Sequence, residues 1–154
     1  MEFETGIYND RMLFEGFSLS RIELEEVTLR VRHGGSGPPL LLLHGHPQTH
    51  MMWHKLAPRL AQDFTVIAPD LRGYGESSKP ESTSDHMPYS KRVMAGDQVA
   101  LIHYFGFEQF YVARHVRGGR CAYCLALDHP ECVRKLAVLY IIPTGEAFRV
   151  GYLF

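Results

Sequence analysis

The chain has 154 residues, 45% of them hydrophobic, with 16 Lys+Arg against 17 Asp+Glu and a formal charge of -1. That size suits one ordinary domain, and a balanced charge supplies no patch to neutralise polyphosphate, which argues against a nucleic-acid partner. No apolar run approaches the ~18 residues of a membrane span, no basic-then-apolar signal pattern opens the chain, and an odd number of cysteines makes no disulfide framework. A cytoplasmic protein without membrane association is therefore expected.

Residues 1–12 are mixed in character and read as a lead-in, residues 13–146 as the core domain, and residues 147–154 as an apolar tail. From Phe14 the apolar positions alternate, through Phe17, Leu19, Ile22 and Leu24, then Val27, Leu29 and Val31, which predicts two half-buried antiparallel strands at a sheet margin. The turn-forming run Gly34 to Pro39 ends them. Leu40 to Leu43 is continuously apolar and predicts a central parallel strand, stopping at His44-Gly45. A helical stretch with Trp53, Leu56 and Leu60 on one face is expected next, kinked or shortened by Pro58.

Thr65 to Ala68 predicts another strand, closed by Pro69-Asp70 and a Gly73/Gly75 turn, with a long polar loop over 76–89. Ser90 is a candidate N-cap for a helix to about Phe105, with Gly106 as its terminator. Phe110 to about Val116 then reads as a strand, Gly118 to Leu127 as a helix, and Leu136 to Ile142 as a last strand. An antiparallel pair followed by strand–helix alternation predicts an α/β fold with a mostly parallel sheet of about six strands and flanking helices. Ligands of such sheets gather beyond the carboxyl ends of the strands, which directs attention to His44–Pro47, the Asp70 turn, His115–Gly119 and Tyr140.

Three motifs in this order are similar to those of α/β-hydrolases: Gly34-Gly35-Ser36-Gly37-Pro38 leading into His44-Gly45-His46-Pro47, then Asp70-Leu-Arg72-Gly73-Tyr74-Gly75-Glu76-Ser77, then Arg117-Gly118-Gly119-Arg120 with Asp128-His129-Pro130. The third resembles the haloacetate dehalogenase and epoxide hydrolase branch. That resemblance implies a carboxylate nucleophile on a tight strand-to-helix elbow, which attacks carbon, and a His–acid pair that activates water against the resulting ester. The nucleophile position here is Val116, which has no lone pair, and the acid position is Tyr140. The family's histidine and cap domain would fall beyond residue 154, so a truncated, triad-less hydrolase is expected. Arg114, where the elbow wants a small residue, and β-branched Val116, where it wants φ above zero, together predict a relaxed elbow.

The same resemblance assigns substrate binding to the backbone N–H groups of His46 and Arg117, and to Arg117 and Arg120, whose planar forks suit a small carboxylate. An ester is the alternative ligand. His44, His46 and His115, which fall with Asp70 near three strand ends, are candidates for a reorganised acid–base site, and Cys121 for a surrogate nucleophile. The simpler readings are that His44 and His46 stabilise a turn, and that Cys121 and Cys124 are buried thiols of a packed helix. His50 and His54, four apart, have metal-compatible spacing but are expected on a solvated face. No metal or cofactor is expected. An open sheet edge and the apolar tail predict a homo-oligomer, and an oligomerising scaffold without a ligand is the remaining alternative.

Overall fold

The computed structural model describes residues 13–115 and 118–139. Strands β1 (Phe17–Glu23) and β2 (Thr28–Gly34) form the expected antiparallel pair, in register from Phe17 opposite Gly34 to Glu23 opposite Thr28. The turn between them is closed by the Leu24 N–H donating to the Val27 carbonyl at 2.9 Å. Strands β3 (Pro39–Leu43), β4 (Thr65–Pro69), β5 (Phe110–His115) and β6 (Val133–Leu139) complete one sheet in the order β1-β2-β4-β3-β5-β6. β2 meets β4 antiparallel, while β3–β4, β3–β5 and β5–β6 are parallel.

β3 is buried at every position, as a central strand covered on both faces must be. Leu41 and Leu43 join the larger apolar cluster under the helices α2 (Lys91–Tyr104) and α3 (Gly118–Asp128). Leu40 and Leu42 face the opposite way, onto Phe14, Trp53 and Ala57. α2 starts where expected, because the Ser90 hydroxyl accepts from the Val93 N–H at 3.2 Å. It ends at Gly106, whose φ of +81° suits a residue without Cβ.

Two expectations need correcting. The stretch after His46 is not one helix but a 3-10 turn (His50–Trp53) and a four-residue helix, α1 (Ala57–Leu60). Pro58 sits in the first turn of α1, where a missing N–H costs no hydrogen bond, so it opens that helix rather than closing it. Leu56 is 44% exposed while Trp53 is 2% exposed, so the two do not share a buried face. The last strand begins at Val133, three residues before the expected Leu136. Its start is set by pairing: the Phe110 N–H donates to the Cys132 carbonyl at 2.8 Å and Val133 falls opposite Phe110. Exposed Arg134 and Lys135 hide that start in the sequence pattern, and an edge strand tolerates them. The expected end of this strand, Val116, Arg117, Tyr140 and the 147–154 tail lie outside the described residues. Among the described residues, no helix is long and apolar enough to cross a membrane.

Candidate active site

The chain turns sharply at the carboxyl end of β3, and His44 is the residue that holds the turn. Its buried ring donates from Nδ1 to the Gly45 carbonyl at 2.8 Å and accepts at Nε2 from the Leu71 N–H at 2.9 Å. These partners require a neutral ring with the proton on Nδ1. Burial, the largest influence, lowers its pKa and outweighs the raising effects of the Gly45 carbonyl and Asp70. Both nitrogens are committed, so His44 ties the ends of β3 and β4 together and has no lone pair left for proton transfer.

Asp70, at the end of β4, organises the next loop. Its buried carboxylate accepts from the His50 N–H at 2.8 Å, from His50 Nδ1 at 2.7 Å and from the Glu76 N–H at 3.2 Å. Burial pushes its pKa up, but these hydrogen bonds to the charged form win and hold it below the ordinary value. Gly75 is required here: its φ is +49°, and a Cβ would lie 2.1 Å from Asp70 Oδ2. Ser77 donates to the Asp70 carbonyl at 2.6 Å and accepts from the Arg30 N–H at 2.9 Å, while the Ser78 hydroxyl accepts from the Thr28 N–H at 3.0 Å. Both serines therefore serve the turn. Arg72, also buried, makes a fork to Asp97 at 2.9 and 2.7 Å, which fastens the loop to α2. Pairing with Asp97 raises the guanidinium pKa against the opposing effect of burial.

Beyond these strand ends lies a cavity of about 280 Å³. His44, Gly45 and His46 form one side of it, Leu71 and Tyr74 the floor of the loop, Lys91 and Met94 the first turn of α2, and Arg120 and Cys121 the first turn of α3. His46 is exposed at the rim, with Nδ1 3.3 Å from the Tyr74 hydroxyl. Arg120 is exposed and Lys91 half-buried, and the described lining residues include no carboxylate. Cys121 is fully buried, and loss of solvation pushes its thiol up to about 12, so near neutral pH it stays protonated and poorly nucleophilic.

The structure thus brings His44, His46, Arg120 and Cys121 to one cavity. His115 is not among the lining residues; its half-buried ring lies with Nδ1 3.4 Å from Gln48 Oε1. Arg114 is buried under the Tyr123 ring, its guanidinium carbon 4.4 Å from the centroid, and burial lowers its pKa. His50 corrects the expectation of a solvated face, for it is 7% exposed and paired to Asp70. Among the described residues, no group of three or more His, Cys, Asp or Glu is placed to hold a metal ion. Sequence reasoning missed Lys91 and Tyr74. The signal for Lys91 was its place directly after the N-cap Ser90, in the first turn of its helix.

The α/β-hydrolase fold family model matches residues 38–150. The chain belongs to the α/β-hydrolase fold family. It is 53% identical over 136 residues to a fluoroacetate dehalogenase from Burkholderia sp., which covers 88% of this chain and 45% of the relative. It is 42% identical over 120 residues to a soluble epoxide hydrolase from Corynebacterium sp. (strain C12), covering 75% of this chain and 40% of the relative. A crystal structure from Nostoc sp. PCC 7120, described as an α/β hydrolase, superposes with a TM-score of 0.86 at 55% identity, covering 88% of this chain and 47% of that one. The chain spans less than half the length of these relatives.

Proposed function

We propose that this α/β-hydrolase chain keeps the ligand-holding part of a dehalogenase-like site without its carbon-attacking carboxylate. It binds small carboxylates through Arg120, Arg117 and the His46 turn, and it does not displace halide. One observation carries the reading: the cavity at the ends of β3 and β4 is lined by Arg120 and Lys91, with no carboxylate among the described lining residues to neutralise them. The identity of Val116 supports the chemical half, since a valine side chain offers no lone pair to carbon. The kinship with a fluoroacetate dehalogenase supports the choice of a small carboxylate. Titration calorimetry with fluoroacetate, beside a fluoride-electrode assay, tests both halves. Saturable binding that Arg120→Ala weakens, with no fluoride above the buffer rate, is expected. Fluoride release or a trapped ester on the chain overturns the impaired chemistry, and absence of binding overturns the carboxylate site.

A second reading, hydrolysis of activated esters, is favoured by His46, whose exposed ring stands at the cavity rim beside the Tyr74 hydroxyl. In it, His46 takes a proton from water as the water attacks the ester carbonyl, and the tetrahedral adduct then breaks its ester C–O bond, expelling the alcohol or phenolate, which takes up that proton, and leaving the acid. Turnover of p-nitrophenyl acetate lost in His46→Ala and kept in His115→Ala would replace the first reading with this one.

A further inference from the structure

Lys91 and Arg120, the two cations of the cavity lining, take part in none of the ion pairs of the described fold. Arg72 has Asp97 and Glu26, Arg30 has Glu76, and Arg92 has Asp128, each with a carboxylate oxygen within ion-pair distance. Lys91 is half-buried in the cavity wall, and its ammonium has the thioether of Met94 at 3.3 Å, a weak acceptor that leaves the charge uncompensated. No carboxylate lies within ion-pair distance of it among the described residues. The neighbouring groups do not supply one either, because His44 is neutral and Cys121 keeps its proton.

We infer that Lys91 is a second anion-binding residue of this cavity, and that the cavity takes a short dianion such as a three-carbon dicarboxylate in preference to a monocarboxylate. This rests on the proposed carboxylate site, which occupies Arg120 with one acid group and leaves Lys91, on the neighbouring helix, for the other. The two kinds of cation suit those roles. Arginine's planar fork fixes one carboxylate in orientation, whereas an ammonium on a flexible stem accepts an acid group from several directions. A cavity of about 280 Å³ has room for a molecule of that size. A monocarboxylate would leave the Lys91 charge facing no anion.

Titration of the full chain with malonate and with acetate at one ionic strength tests this. Malonate is expected to bind at least about tenfold more tightly, the scale of one charge-assisted hydrogen bond. Lys91→Met, which keeps the stem against Met94, should remove that preference, and Lys91→Arg should restore it. Lys91→Gln is the second neutral variant, and unchanged circular dichroism and melting establish that either is folded. Acetate binding equal to malonate binding, with both unmoved in Lys91→Met, overturns the role of Lys91 and leaves the carboxylate site standing. Failure of both anions to bind overturns the carboxylate site, and the inference with it.

Discussion

Two regions meet beyond the ends of β3 and β4, and they treat polar groups in opposite ways. In the Asp70–Arg72 loop, Asp70 accepts three hydrogen bonds and Arg72 is forked to Asp97. Across the cavity stand Lys91 and Arg120, with no carboxylate among the described lining residues. Burying charge is costly unless the charge is paired, so the saturated region is architecture. Cations at an open cavity keep their water until an anion displaces it, so they cost the fold little. Where polar groups are already satisfied, removing one should harm stability; where they are not, removing one should harm binding alone.

The largest effect expected on the saturated side is from Asp97→Ala, which leaves the buried Arg72 guanidinium only the Pro88 carbonyl and the exposed Glu26 carboxylate at 3.5 Å. A loss of about 3–5 kcal/mol in urea unfolding is expected, and a loss under about 1 kcal/mol would break the comparison. Asp70→Asn should cost about 1–3 kcal/mol, because the His50 and Glu76 donors lose a charged acceptor. It should also flatten the acid limb of the stability profile. A carboxyl whose folded pKa lies below its unfolded value, about 3.9, contributes stability fully above that value, and the contribution fades as pH falls through the folded one.

His44 has a lowered pKa, so unfolding lets it take up a proton between its unfolded value of about 6.5 and its lower folded one. Stability should therefore decline as pH falls below about 6.5, and His44→Gln should reduce that slope in melts across the range. Ser90→Ala removes the cap of α2 and should cost about 1 kcal/mol by the same denaturant measurement. At the end of the scale, Lys91→Met should move unfolding by less than about 0.5 kcal/mol, as surface changes away from satisfied networks do. A large loss there would sharpen the contrast in the other direction, by making Lys91 part of the architecture.

Much of this was legible in advance wherever the signal was local. The β1–β2 pair announced itself by alternation, β3 by a run of leucines, and α2 by Ser90 at one end and Gly106 at the other. The start of β6 was not legible, because Val133 is recruited by a pairing with Phe110, 23 residues away in sequence, against the polar signal of Arg134 and Lys135. The site divides similarly. His46, Arg120 and Cys121 were named as candidates from the sequence, and the fold lines one cavity with them and His44. His50 was misread because its partner, Asp70, arrives from another strand.

The amino-acid order alone determined the α/β-hydrolase class, the turns, the caps and the identity of the residue at 116, since each depends on side chains a few positions apart. Which histidine is buried against a carboxylate, which is locked between two backbone groups, and which cations line one cavity were decided only when β3, β4, α2 and α3 came together. Those properties belong to pairs of residues distant in sequence, and electrostatics and solvation act on distance in space.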